Sequence, residues 1–217
     1  MVALILSCDK YSSLWELFFH FYEKYYPDHP ETFLVCESLE CPYCETLNIS
    51  SQVWSVRFRE ALAALDDDQV LVLLDDFFIR KRVDSKRIEK LRFTDDIISY
   101  NFELSWRKPA LKLKEWDVQF NNQIYLNSCQ PTLWDRKKLI ERLDGEWTPQ
   151  EWETLKIDSP YIHLINSKDF IIDVGYRHQD LKEGWGITRG RITLELLEFL
   201  KNETVNYNSL LENFRLN

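Results

Sequence analysis

Over the first hundred residues, apolar residues follow two patterns, which are short continuous runs and repeats at helical spacing. Three short apolar runs are typical of buried strands: Val2 to Ser7, Thr32 to Cys36 and Val70 to Leu74. Two stretches between them repeat apolar residues at helical spacing: Leu14 to Tyr25 and Trp54 to Leu65. Strands that alternate with helices form βαβ units, so we expect an α/β fold with a mostly parallel central sheet flanked by helices.

The second half of the chain has a looser pattern and shorter predicted elements. Helices are expected at Val83 to Leu91, Thr132 to Leu143, Pro149 to Leu155, Thr193 to Leu200 and Ser209 to Phe214. Strands are expected at Ile97 to Leu104, Gln123 to Leu126, Tyr161 to Ile165 and Phe170 to Val174. With no internal repeat or linker, residues 1–217 are expected to form one domain. Its first half, to about residue 100, would bind a ligand, and residues 101–217 would complete the cleft.

Composition and charge exclude several classes of protein. The chain is 45% hydrophobic and 14% aromatic, which is enough to fill a large core. Its formal charge of -9 argues against a nonspecific nucleic-acid binder. No apolar stretch approaches the ~20 residues of a membrane span, and Val2 to Cys8 is too short for a signal peptide. Five cysteines, an odd number, fit free thiols, so we expect a cytoplasmic protein.

Two adjacent carboxylates, Asp75 and Asp76, follow the most apolar strand. Buried carboxylates are costly unless water, hydrogen-bond donors or a cation compensate them. Ligands of open α/β sheets bind outside the carboxyl ends of the strands, where these two acids are expected to lie. The pair therefore indicates metal or phosphate chemistry. The alternative is a pair of solvated turn residues, one of which caps the next helix.

A second local motif, Cys41-Pro42-Tyr43-Cys44, matches the active-site string of glutaredoxins. That chemistry needs Cys41 as a low-pKa thiolate at a helix N-terminus and Cys44 as the resolving thiol. Residues 45–50 form helices poorly, and nothing downstream resembles a thioredoxin fold, so a thiol redox protein is the weakest hypothesis. A zinc site of Cys36, Cys41 and Cys44 with His29 or His20 is another alternative. Incidental thiols in a loop are the simplest interpretation.

Four segments, taken in order, resemble glycosyltransferases of the GT-A type, which bind nucleotide sugars. Leu4 to Trp15 looks like the first strand and nucleotide loop of bacterial polysaccharide-type transferases. Trp54 to Leu62 is similar to the helix before the acidic strand, and Leu73 to Phe78 falls at the metal-binding Asp-x-Asp. Ser128 to Trp134, followed by Trp152-Glu153, looks like the acceptor-side segment and its acidic residue. The resemblance spans roughly residues 2–200.

The resemblance implies transfer of a sugar from a nucleotide-diphosphate donor to a saccharide-type acceptor. The implied donor-binding residues are Lys10, Tyr11, Glu37, Ser55, Arg57, Asp75, Asp76, Arg189 and Arg191. Mn²⁺ or Mg²⁺ on Asp75 and Asp76 would stabilise the leaving diphosphate. Phe77 follows the two acids, so the usual spaced pair is absent, and a metal-independent clamp of arginines such as Arg57 and Arg189 stays open. The segment Gly184 to Arg191, which carries Arg189, reads equally well as a hairpin turn.

On the acceptor side, an inverting transfer needs a base that deprotonates the acceptor hydroxyl. Glu153 is the candidate and Glu151 the second choice, although Glu153 could instead be an exposed helix acid. Gln130, Trp134 and Trp152 are the expected acceptor-binding residues, since indoles stack on sugar faces or fill a core. A non-catalytic binding or assembly module on the same fold is the alternative from another class. The chain is short for the fold, so the acceptor subdomain is expected to be either reduced or supplied by a partner chain, and a homo-oligomer stays open.

Overall fold

The structure is a computed structural model that describes residues 1–102, 109–120, 123–156, 158, 160–175, 186–188, 191–203 and 205–216. Its strands are β1 Val2–Leu6, β2 Thr32–Cys36, β3 Glu45–Asn48, β4 Gln69–Leu74, β5 Ile97–Asn101, β6 Leu111–Leu113, β7 Trp116–Gln119, β8 Thr132–Asp135, β9 Ile162–Asn166, β10 Ile187–Thr188, β11 Arg191–Ile192 and β12 Arg215–Leu216. Its helices are α1 Ser12–Tyr25, α2 Trp54–Ala64, α3 Ser85–Ile88, α4 Arg136–Arg142, α5 Pro149–Thr154, α6 Leu194–Asn202 and α7 Asn208–Asn213. No described helix is long and apolar enough to cross a membrane.

One nine-stranded sheet forms the centre of the molecule, in the order β3-β2-β1-β4-β8-β5-β9-β7-β6. The first four strands in this order are parallel to one another. Strand β8 runs antiparallel between β4 and β5, and β7 runs antiparallel to β9 and β6. Seven of the nine strands therefore run in one direction, because only β7 and β8 are reversed within this sheet. The predicted α/β class with a mostly parallel sheet is confirmed.

Helices cover both faces of the sheet, and each face has its own core. Along β1, Ala3 and Ile5 face the core that contains α1, α6 and α7. Their neighbours Val2, Leu4 and Leu6 face the other core, which contains α2, α4 and α5. A strand that is buried on both faces has no polar position, which explains the unbroken apolar sequence of β1.

The predicted elements up to residue 74 are confirmed, whereas several of those after it are wrong. Residues 132–135, predicted as the start of a helix, form strand β8, because Thr132 pairs with Val72 and Trp134 with Val70. Asp135 then caps α4 by accepting a hydrogen bond from the backbone N–H of Lys138 at 3.1 Å. The predicted helix Val83 to Leu91 is reduced to the single turn α3.

Two predicted strands are absent, and several observed strands, among them β3, β6 and β7, were not predicted. Residues 123–126 form a turn, and residues 170–174 lie outside the strands. Strand β3 pairs with β2 although none of its residues is fully buried, so it carries no apolar signal. Strands β6 and β7 form an antiparallel hairpin at one edge, with β6 exposed along its whole length. Exposed edge strands lack the alternation on which prediction depends.

Candidate active site

The carboxyl ends of β1, β2 and β4 meet at one edge of the sheet. Leu6 pairs with Leu74, so Ser7 and Asp75, the residues that follow them, lie side by side. Because β8 is antiparallel, its beginning lies at this edge as well, and the pairing of Thr132 with Val72 brings Gln130 beside the end of β4. The register of four strands thus collects polar side chains at the position where open α/β sheets bind ligands.

Asp75 is buried and is held by a chain of two hydrogen bonds. The Ser7 hydroxyl donates to Asp75 Oδ2, and the Trp15 indole Nε1–H donates to Ser7 Oγ at 2.8 Å. Burial, followed by the charge of Asp76, raises the pKa of Asp75 well above its ordinary value. This burial contradicts the alternative of a solvated turn. Ser7 and Trp15 were missed in the sequence because their roles depend on strand register.

Asp76 is half-buried, but its Oδ1 atom is shielded from solvent. Burial raises the pKa of Asp76 to about 7, and Oδ1 makes no hydrogen bond with any described residue. The beginning of the β10–β11 hairpin lies against the same residue. A Cβ atom at Gly186, whose φ is +86°, would lie 2.8 Å from the Asp76 carbonyl oxygen, so only glycine allows this approach.

Tyr11 lies in the turn that follows β1, at the same edge of the sheet. Burial, followed by the charges of Asp76 and Asp75, raises the pKa of its phenol. Its ring contacts Phe214 edge to face, with 5.6 Å between the centroids. Lys10 is exposed on the same 3-10 turn, which spans Asp9–Tyr11.

Glu37, at the end of β2, is fixed by an ion pair with Arg57. Arg57 Nη1 lies 2.7 Å from Glu37 Oε1 and also donates to the Ser51 carbonyl at 2.8 Å. Its Nη2 donates to the Ser7 carbonyl at 3.4 Å. The guanidinium is buried and bound to protein atoms, which contradicts its predicted role as a diphosphate clamp. Arg57 instead positions Glu37.

Asp9 ties the loop after β1 to the loop after β2. Its Oδ1 accepts hydrogen bonds from the backbone N–H groups of Glu37, Ser38 and Leu39 at 3.0–3.2 Å. In return, the Asp9 N–H donates to Glu37 Oε2 at 2.7 Å. Although burial opposes it, hydrogen bonds from Ser38 and from the Ser38 and Leu39 amides lower the pKa of Asp9 to about 2. Asp9 therefore orders the loop that carries Glu37, a role that the sequence did not indicate.

Glu153 approaches the site from the second half of the chain. It is half-buried at the end of α5, and burial raises the pKa of its carboxyl. Its Oε1 accepts a hydrogen bond from the Cys129 backbone N–H at 2.9 Å. Burial, and then the charges of Glu153 and Asp76, raise the pKa of the Cys129 thiol. Cys129 precedes Gln130, which strand pairing brings beside the end of β4, so Glu153 lies at the same edge of the sheet as Asp75 and Asp76.

Two other predicted site residues have structural roles. Glu151 is exposed, and its carboxylate accepts from the Thr148 N–H at 2.9 Å in a capping box, which lowers its pKa. The prediction of Glu151 as the second-choice base is therefore wrong. Ser55 donates to the Gly145 carbonyl at 2.9 Å and accepts from the Trp147 N–H at 2.8 Å. The Ser55 hydroxyl joins α2 to the loop before α5 and does not face the donor site, contrary to prediction.

The predicted acceptor residues divide into two groups. Trp134 and Trp152 are 0% and 1% exposed in the core beneath α2, so no face is available for a sugar and their stacking role is wrong. Gln130 is also buried, but its Oε1 makes no hydrogen bond with a described residue. Arg191 is exposed on β11, and Arg189 lies outside the described residues. Over the described residues, the hairpin interpretation of this segment is confirmed.

Asp75 and Asp76 are the residues that could hold a divalent cation. Mg²⁺ is often bound by one or two carboxylates together with water and substrate phosphates. An unpaired, buried carboxylate oxygen such as Asp76 Oδ1 fits that requirement. Among the described residues, no group of three or more His, Cys, Asp or Glu side chains is arranged to hold a metal ion.

No family model matches the sequence, and no curated protein matches it either. Solved structures are similar in fold. The galactosyltransferase LgtC, in complex with donor and acceptor sugar analogs, is 10% identical with a TM-score of 0.46, covering 70% of this chain and 68% of that one. The glycosyltransferase GlyE of Streptococcus pneumoniae is 9% identical with a TM-score of 0.47, covering 97% of this chain and 62% of GlyE.

A third similar structure belongs to an enzyme of another kind. The 4-diphosphocytidyl-2C-methyl-D-erythritol synthase is 13% identical with a TM-score of 0.45, covering 82% of this chain and 94% of that one. Glycosyltransferases and this synthase are thus among the proteins whose fold this chain resembles. Since these TM-scores lie below 0.5, the reaction has to be argued from the residues of this chain.

Proposed function

We propose that this protein transfers a sugar from a nucleotide-diphosphate donor to a saccharide-type acceptor. The observation that carries the proposal is the hydrogen bond from the Cys129 backbone N–H to Glu153 Oε1, one residue before Gln130, which lies beside the end of β4 and its Asp75-Asp76 pair. Asp76 follows the strand of the expected donor half, and Glu153 belongs to the acceptor half. A reaction that joins two substrates needs groups from both halves at one point.

The donor would bind across the ends of β1, β2 and β4. Glu37, held in place by Arg57 and Asp9, would accept hydrogen bonds from a base or ribose. Tyr11 and Lys10 would contact the same part of the nucleotide. Arg191 on the hairpin would attract the diphosphate. Fixed, pre-oriented groups of this kind lower the cost of binding.

Asp75 and Asp76 would hold Mn²⁺ or Mg²⁺, with the phosphates and water as the remaining ligands. When bound, the cation would supply positive charge to the leaving diphosphate as the glycosidic bond breaks. Ser7 and Trp15 fix the Asp75 carboxylate in advance through their hydrogen bonds. Asp76 Oδ1 is buried without a hydrogen bond to any described residue, so a nearby positive charge would stabilise this atom most.

Glu153 would accept the proton of the acceptor hydroxyl. Its raised pKa makes it a stronger base than an exposed glutamate, and the Cys129 N–H orients its carboxylate. Gln130 Oε1, at the same edge of the sheet, would accept a hydrogen bond from another acceptor hydroxyl. Attack then proceeds from the acceptor oxygen onto the anomeric carbon of the donor.

Thermal unfolding with a panel of nucleotide diphosphates and their sugars, with and without Mn²⁺, tests the donor site. A ligand at 100 times its Kd that binds only the folded protein adds about 2.7 kcal/mol of stability. We expect one nucleotide to stabilise the protein, and Asp76→Asn to remove the Mn²⁺-dependent part of the shift. Glu151→Gln is the control, because Glu151 only caps a helix. If no nucleotide stabilises the protein, the donor site is refuted and the non-catalytic module is favoured.

Glu153→Gln tests the role of the base separately from donor binding. We expect sugar transfer to slow by about 10²–10⁴-fold, the usual contribution of a general base. The thermal shift caused by the nucleotide should stay unchanged, since Glu153 does not belong to the donor half. A variant that retains wild-type turnover would show that another group accepts the proton.

A further inference from the structure

Cys41 and Cys44 lie in the loop between β2 and β3, with their sulfur atoms 3.9 Å apart. Both are free thiols. The S–S bond of a disulfide is about 2 Å long, so the two sulfur atoms must move about 2 Å closer to each other before the bond can form. Pro42 and Tyr43 are exposed between the two cysteines, while the Cys41 N–H donates to Thr46 Oγ1 at 2.8 Å and the Tyr43 ring stacks on Phe19.

The surroundings of Cys41 and Cys44 shift the pKa values of the two thiols in opposite directions. The Cys44 thiol, and then the backbone N–H groups of Tyr43 and Cys44, act on Cys41 Sγ and lower the pKa of Cys41 to about 7. The Cys44 pKa is raised, first by its hydrogen bond to Cys41. Cys41 is therefore suited to be a nucleophilic thiolate, with Cys44 beside it as a protonated thiol. A turn supplies the amide groups that a helix N-terminus supplies elsewhere.

The other three cysteines of the chain have the opposite character. Burial raises the pKa of Cys8, raises that of Cys36 to about 12, and raises that of Cys129 well above its ordinary value. Cys36 donates to the Leu39 carbonyl at 3.1 Å, and Cys129 is buried beside Glu153. These thiols serve as internal references in the same molecule.

We propose that Cys41 and Cys44 are a redox-active dithiol that low-molecular-weight disulfides oxidise to an intramolecular disulfide. The Cys41 thiolate attacks one sulfur of the oxidant, forms a mixed disulfide and releases one thiolate. Cys44 then loses its proton and attacks the Cys41 sulfur, which forms the Cys41–Cys44 bond and releases the second thiolate. Two protein thiols are oxidised while one disulfide is reduced to two thiols.

The full chain, fully reduced and then exposed to glutathione disulfide, gives the direct test. The protein is alkylated in denaturant and its peptides are mapped by mass spectrometry. We expect the protein to lose the mass of two hydrogens, with Cys41 and Cys44 protected and Cys8, Cys36 and Cys129 alkylated. Mapping the wild-type chain makes this result independent of how any variant folds.

Three variants identify the two roles. Cys44→Ser should stop at a mixed disulfide between glutathione and Cys41, because the resolving thiol is absent. Cys41→Ser should form neither species, and Cys36→Ser, the matched control, should still form the Cys41–Cys44 bond. Alkylation of all five cysteines after glutathione disulfide treatment would overturn the proposal. So would a disulfide that includes Cys36, or thiols that react only after a chelator has removed a bound metal.

Discussion

At the scale of single residues, the charge of Asp76 opposes folding. Its folded pKa, about 7, lies above its ordinary 3.8, so the folded state binds more protons between those values. The free energy of unfolding should therefore fall as pH rises through this window. Asp76→Asn removes the charge and should flatten this dependence, so that the variant gains stability over wild type at pH values above about 7.

Urea unfolding in the absence of divalent cations, at about pH 5 and at a pH above about 7, measures the effect. Glu151→Gln is the matched control, because the folded pKa of Glu151 is lowered and its contribution disappears only in acid. Wild-type and Asp76→Asn curves that run parallel across the window would show that Asp76 is not the group responsible.

At the scale of elements, helix α5 sets the position of Glu153. Thr148 caps the helix by accepting from the Glu151 N–H at 3.3 Å, and Pro149 occupies the first turn. Thr148→Ala should cost about 0.5–2 kcal/mol, the usual effect of losing an N-cap. It should also slow sugar transfer with little change in donor binding, because the backbone that carries Glu153 loosens.

Thr148→Ser keeps the hydroxyl and should restore both stability and transfer rate. Stability by urea unfolding, and kcat and KM for the donor, separate the two effects. A Thr148→Ala protein with reduced stability but an unchanged kcat would mean that Glu153 is held by the rest of the second core and not by its helix.

Strand pairing also explains which elements could be predicted from the sequence. The continuous apolar runs of β1 and β4 arise because both faces of those strands are covered, so each was predictable within one residue. Residues 132–135 have a pattern that suits a helix, and only their pairing with β4 makes them a strand. Strand β3 has no apolar alternation at all, since its position depends on β2.

The same limit applies to the site. Asp75, Asp76 and Glu153 could be found from local patterns, because an acid after an apolar strand or beside a core tryptophan is unusual. The roles of Ser7, Trp15 and Asp9 could not, since each depends on a partner that strand register or a second loop brings near. Register likewise decided that Trp134 lies in the core and not in the cleft.

At the scale of the whole molecule, the two cores share one sheet and should unfold together. Along β1, Leu4 belongs to one core and Ile5 to the other, so loss of either core exposes half of the same strand. Leu4→Ala and Ile5→Ala should each cost about 2–5 kcal/mol while unfolding stays a single transition.

In native-state hydrogen exchange, the amides of β1 and β4 should exchange with the free energy of global unfolding measured in urea. Two groups of slow amides, one for each core and with different dependence on urea, would show instead that the cores unfold separately.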